Sequence, residues 1–168
     1  VKVKTLVLGL GNPILSDDGI GPKIAGELEG RVGENVMVME TSMAGLNLLD
    51  LLVGYDRAII VDAIQTPGGR VGDIYRFDLE ALQTTRHAAS THDVNLTTAL
   101  ELGKRLGMDV PGKIDILAIE VADVSNFSEE CTPAVAEAVP VCVEMIVEEL
   151  KADDPARTGD VVYDCNIL

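Results

Sequence analysis

The sequence predicts an α/β fold of three layers, a twisted, mostly parallel sheet of about five strands flanked by helices on both faces. Two observations carry that prediction. Short apolar runs alternate along the chain with longer segments of helical period. The most apolar run, Arg57-Ala-Ile-Ile-Val-Asp-Ala63, is continuous rather than alternating, as in a strand buried on both faces.

The elements follow in order. Thr5–Gly9 reads as a buried strand, and the breakers of Gly9-Leu10-Gly11-Asn12-Pro13 make a loop. Ile20, Ile24 and Leu28 repeat at helical spacing over Ile20–Glu29, with Pro22 acceptable only in the first turn. Val36–Glu40 is a second strand, Ala44–Leu52 a leucine-rich helix, and Arg57–Ala63 the third strand. Thr66-Pro67-Gly68-Gly69 turns the chain into a fourth strand, Asp73–Asp78. Thr84–Asp93 is polar and loop-like, and Val94–Leu106 is helical, stopped by Gly107. Lys113–Glu120 is a strand, Val121–Pro133 a long loop, and Pro133–Leu150 a helix capped by Thr132 and broken or kinked at Pro140.

Residues 1–150 thus form one α/β domain, and 151–168 an acidic tail in which Asp160–Tyr163 offers an edge strand. The 168 residues suffice to bury a core without disulfides or a structural metal, and 47% are hydrophobic, too many for a disordered chain. Acids outnumber bases 28 to 13, a formal charge of −15. So acidic a globule repels phosphate backbones and anionic membranes, and suits a basic peptide or a metal cation. No apolar run approaches the ~18 residues of a spanning helix. The N-terminus enters a strand directly, without the regions of a signal peptide. Cys131, Cys142 and Cys165 include no CxxC and read as free thiols of a cytoplasmic protein.

In a doubly wound sheet ligands bind beyond the carboxyl ends of the strands, which directs attention to the loops there. After the first strand runs Gly9-Leu10-Gly11-Asn12-Pro13-Ile14-Leu15-Ser16-Asp17-Asp18-Gly19-Ile20-Gly21. Ile14 stands where a dinucleotide fingerprint needs glycine, and Gly-Lys-Ser/Thr is absent, so this loop is no nucleotide cradle. Asp17 and Asp18 stand at a helix start, where one acid caps the helix and the other either faces the cleft or is solvated. Asp62 ends the third strand, as a site acid or as the exposed start of a loop. His92 precedes the helix from Val94, whereas His87 has no comparable setting. Asp18, Asp62 and His92 come from three successive loops at one end of the sheet, and two carboxylates with an imidazole suit a divalent ion such as nickel or zinc.

The run Gly9–Gly21, followed by Ala44-Gly45, Ile59-Ile60-Val61-Asp62-Ala63 and Ser90-Thr91-His92 in that order, resembles the hydrogenase maturation endopeptidases over about residues 3 to 150. The resemblance implies an endopeptidase that removes a C-terminal peptide from the nickel-loaded precursor of a nickel-iron hydrogenase large subunit. It implies that the nickel belongs to the substrate and serves as a recognition handle, contacted by Asp18, Asp62 and His92. Zinc or cadmium would fill the same ligand set. Asp18, Asp62 and Glu40 become the implied catalytic acids; at Glu40 some relatives carry aspartate, one methylene shorter. The expected partner is the precursor, met by a monomer. The alternatives are a nickel-binding assembly factor without catalysis and a zinc-type hydrolase of unrelated substrate.

Overall fold

The computed structural model describes residues 3–78 and 96–153. β1 (Thr5–Leu10) is an interior strand of a five-stranded sheet and all six of its residues are buried. Beside it stand β2 (Val36–Thr41) and β3 (Arg57–Ile64), followed by β5 (Lys113–Glu120) and then β4 (Ile74–Asp78), in the order β2-β1-β3-β5-β4. The pairs β1–β2, β1–β3 and β3–β5 are parallel, and edge strand β4 runs antiparallel to β5. The expected three-layer α/β architecture is the observed one.

Strand pleating sorts the side chains into two cores. Val7, Ile59, Val61, Leu117 and Ile119 pack against α1 (Ile20–Leu28) and α4 (Pro133–Ala152) on one face. Leu6, Leu8, Ala58, Ile60, Ile114 and Ile116 meet α2 (Leu48–Leu52) and α3 (Leu96–Arg105) on the other. All eight residues of β3 are buried, which is why its run is continuously apolar.

Most element boundaries agree with the sequence reading to a residue or two. The segment expected as one helix from Ala44 divides into a 3-10 turn, Gly45–Asn47, and the short α2. At Pro140 the expected break does not occur: α4 is continuous from Pro133 to Ala152. Pro140 and Ala136, whose carbonyl would have received the missing N–H bond, both face solvent, so water can satisfy the freed oxygen. Val135, Ala138, Cys142, Val143 and Ile146 meanwhile hold the inner face in the core. Because α4 reaches Ala152, the first residues of the expected tail belong to the domain; its edge strand and Cys165 fall outside the described residues. Cys131 and Cys142 are free thiols, and burial pushes the Cys142 thiol up to about 12.

At the amino ends of the strands lies an ion cluster the sequence did not announce. The Arg57 guanidinium, 4% exposed, bonds Asp115 Oδ2 at 2.7 Å and also reaches Glu149 and Asp153. Arg76 adds contacts to Glu149 at 2.6 Å and Asp115 at 3.2 Å. Burial alone would raise the Asp115 carboxyl, but the hydrogen bonds from Arg57 and Arg76 outweigh it and hold the group below its ordinary value. Its contribution to stability is therefore full above the unfolded-state value of about 3.9, and is lost as pH falls through the lower folded-state value. Arg57→Met is expected to strand these carboxylates and cost about 3 kcal/mol. In calorimetry at neutral pH that appears as a melting point roughly 10 °C lower, with a smaller deficit at pH 3.

Candidate active site

Between β1 and β3 the chain changes direction, since β2 lies to one side of β1 and β3 to the other. The crevice at the carboxyl ends of these two strands is the switch point where such sheets place their ligands. The glycine-rich run brings α1 unusually close to it. A Cβ on Gly9 would lie 2.2 Å from the Gly21 carbonyl oxygen, and a Cβ on Gly21 would lie 2.2 Å from Leu10 O and 2.7 Å from Val61 O. At Gly11, φ is +139°, and a Cβ there would lie 1.8 Å from the Asp18 carbonyl oxygen. The absence of side chains here seats the start of α1 on β1 and β3, next to Asp62.

The 3-10 turn Ser16–Gly19, which packs against β3, carries the two consecutive acids. Neither acts as the expected helix cap: no side chain caps this turn or α1. Asp17, fully buried, instead faces the loop after β5. Its Oδ2 accepts the N–H groups of Ala122 and Asp123 and the Thr132 hydroxyl, each at 3.0 Å, and its Oδ1 accepts the Thr132 N–H at 2.6 Å. Thr132, expected to cap α4 with its side chain, donates its hydroxyl to Asp17 instead. Reciprocally, the Asp17 N–H donates to Asp123 O at 2.9 Å and the Ser16 N–H to Ser128 O at 2.8 Å. Ser16 holds a positive φ of 49°, a conformation that needs such over-determination.

With Asp17 committed to the scaffold, Asp18 is the acid left for the crevice. It is half-buried, and its Oδ2 accepts the Asn12 N–H at 2.8 Å, closing the loop on itself. Asp62 is 1% exposed; it lies within β3 rather than at its end, opposite Ala118 of β5, and its Oδ1 accepts the Ala63 N–H at 2.8 Å. Asp18, in the turn after β1, and Asp62, in the neighbouring β3, thus come from the two chain segments beside the crevice. Glu40 lies one strand over, near the carboxyl end of β2. It is opposite Gly9 in the register, on the β2 face shared with Val36 and Val38 toward α1 and α4, and it is exposed. Asp62 shares its face with Ala58 and Ile60, toward α2 and α3. His92 and His87 lie outside the described residues, and among those described no group of three metal-type ligands assembles.

Sequence reasoning missed Asp17 as an anchor, and it missed Glu120. The latter, 3% exposed, accepts the Thr66 N–H at 2.8 Å and the Thr66 hydroxyl at 2.7 Å, and so shapes the loop after β3. Neither partner is near in sequence, so no local signal marks them.

The comparisons with known proteins agree with this fold. A family model described as hydrogenase maturation protease matches residues 22–149. A Methanocaldococcus jannaschii protein, provisionally named as a hydrogenase maturation protease, is 30% identical over 160 residues, covering 89% of this chain and 98% of that one. The hydrogenase expression/formation protein HupD of Thiocapsa roseopersicina is 24% identical over 149 residues; the match takes in 86% of this chain but 66% of the longer HupD. Among solved structures, the hydrogenase maturating endopeptidase HybD from Escherichia coli superposes with a TM-score of 0.77 at 25% identity, over 90% of this chain and 94% of that one. An α/β chain of this topology, with acids at its switch point and such relatives, is a peptidase. It belongs to the hydrogenase maturation protease family.

Asp17→Ala is expected to leave four partly buried donors without their acceptor and to cost about 4 kcal/mol, about 1 kcal/mol for each, the low end for an unsatisfied group because water can reach them. The check is a thermal melt, in which the midpoint falls by more than roughly 10 °C. Asp17→Asn, which keeps the shape and half the acceptors, is expected to fall between the two.

Proposed function

We propose that this peptidase removes a C-terminal peptide from the nickel-loaded precursor of a nickel-iron hydrogenase large subunit, and that the nickel arrives with the substrate. What supports the reading is that Asp18, in the turn that follows β1, and Asp62, buried in β3, come from the two chain segments beside the switch point, with Asp17 diverted to the scaffold. Two carboxylates and an imidazole from His92 are donors suited to nickel, and equally to zinc or cadmium.

The course of α3 supports a part for His92. The carbonyl of Asp109, just beyond the helix, accepts the Gly54 N–H near the start of β3, so α3 ends at the amino edge of the sheet. Its first described residue, Leu96, therefore lies toward the carboxyl edge, buried in the layer that Asp62 faces. His92 is four residues upstream, a chain reach of about 14 Å at most.

In this scheme the substrate's nickel, with coordination sites left open, docks on Asp18, Asp62 and His92. Docking reports that the metal is in place and holds the scissile peptide beside a carboxylate. That carboxylate takes a proton from the attacking water. Asp18 and Asp62 are the acids assigned to this step. Glu40, on the sheet face opposite to that of Asp62, is not assigned to it. The chain works as a monomer in the cytoplasm, where Cys131 and Cys142 stay reduced.

The test is cleavage of purified precursor with and without nickel. The nickel-loaded form is expected to be shortened and the nickel-free form left intact; equal cleavage of both would remove the checkpoint. His92→Ala and Asp62→Asn are expected to lower the rate at least 100-fold, with His92→Ala melting within a few degrees of the parent. Glu40→Gln is expected to stay within about threefold of the parent, an effect too small for a lost general base. Nickel retained stoichiometrically by the purified chain, without any cleavage, would instead make it an assembly factor.

A further inference from the structure

The loop 121–132 carries a feature that catalysis does not use. Phe127, one of two phenylalanines in the chain, is 83% exposed, whereas Phe77 packs against the core. Ile14, 47% exposed, stands beside it. The neighbours Leu15 and Ser128 form a parallel bridge, in which the Ser128 N–H donates to Ile14 O at 3.1 Å and the Ser16 N–H to Ser128 O at 2.8 Å. Ile14 and Phe127 precede the bridged residues by one step on each strand, and so form one apolar pair at the carboxyl end of the sheet. Met43, 42% exposed, and Leu46, 53% exposed, lie in the loop after the adjoining β2.

Hydrogen bonds tie the loop at both ends and at its tip. Asp123 accepts the Ser125 and Asn126 N–H groups at 3.1 Å and the Asn126 side-chain amide at 2.9 Å, and Asp17 fastens both its ends. A large aromatic held out in water on a rigid loop binds without an ordering cost. The charge on the loops that carry these apolar residues is one-sided. The loops after β1, β2 and β5, residues 11–19, 42–47 and 121–132, contain no Lys or Arg, whereas Asp18, Asp123, Glu129 and Glu130 lie in them. Among the described residues Lys23, on α1, reaches within 3.8 Å of Glu130.

We propose that Ile14 and Phe127 are the docking anchor for the substrate polypeptide. They take an apolar side chain of a segment that also carries Lys or Arg, whose charge meets the acids around the pair. Ile14 lies in the loop that leads into the turn bearing Asp18, so a segment seated on the anchor lies along the approach to the crevice. This inference rests on the processing reading above and adds to it the chemistry of the segment recognised away from the scissile bond.

Phe127→Ser and Ile14→Ser test it, since exposed side chains can be shortened with little effect on the fold. The readouts are steady-state cleavage of the nickel-loaded large-subunit precursor and, separately, binding of that precursor to the immobilised full chain. Each substitution is expected to raise KM and weaken binding roughly tenfold or more, as loss of an anchor does, with kcat within about twofold of the parent. Glu129→Lys is expected to raise KM about threefold and to flatten its salt dependence. If the parent cleaves the precursor and both serine variants keep its KM and binding, the anchor is wrong and the processing function stands. Binding without cleavage in the parent, lost in the variants, would keep the anchor and overturn the processing. No binding and no cleavage would overturn both. A parent that light scattering shows to be a dimer, made monomeric by Phe127→Ser with unchanged KM, would assign the pair to self-association and overturn the proposal.

Discussion

The contact on which this structure depends is the direct seating of one helix start on backbone. Gly9 and Gly21 meet with no side chain between them, and α1 comes down onto the ends of β1 and β3. Any Cβ there would lie nearer to a carbonyl oxygen than atoms can approach, so the helix would have to lift. Everything at the crevice is placed relative to that contact: the turn with Asp17 and Asp18 precedes α1, and Asp62 follows Val61, whose carbonyl Gly21 touches. Helix dipoles and surface charges adjust a site by tenths of a kcal/mol. Here steric exclusion at backbone distance sets the position first.

The two ends of the sheet divide the work of charge. At the amino ends, Arg57, Arg76 and Lys113 neutralise Asp115, and Arg57 also meets Glu149 and Asp153. At the carboxyl ends, carboxylates are held by N–H and O–H donors instead: Asp17 by the loop after β5, Asp18 by Asn12, Glu120 by Thr66. A carboxylate satisfied by neutral donors keeps its full charge for an incoming cation. One cancelled by arginine does not.

Much of the fold was legible in the sequence because β3 and β5 contain unbroken apolar runs, Ala58–Val61 and Ile116–Ile119, and α1 repeats its isoleucines and leucine at helical spacing. Asp62 was legible too, as a carboxylate in the most apolar strand. Pro140 misled because a helix break depends on which way the freed carbonyl points, and that is set by tertiary burial. The pair Asp17-Asp18 misled for a similar reason. Local rules offer both acids a helix cap, whereas unpaired N–H groups more than a hundred residues away in sequence claim Asp17. Glu40 was tied to the site through family likeness; the pleat, which turns alternate residues to opposite faces, separates it from Asp62.

Surface loops ordinarily tolerate insertion and deletion, because chain closure costs little per added residue. The stretch from Ala122 to Thr132 has lost that freedom. Both its ends are bound by a single carboxylate whose neighbour in sequence is Asp18. Lengthening or shortening it would tug the site acid out of register. Diversification toward new substrates at this edge is therefore confined to exchanging side chains on a span of constant size, and a shift of specificity should be recorded there in composition and never in gaps.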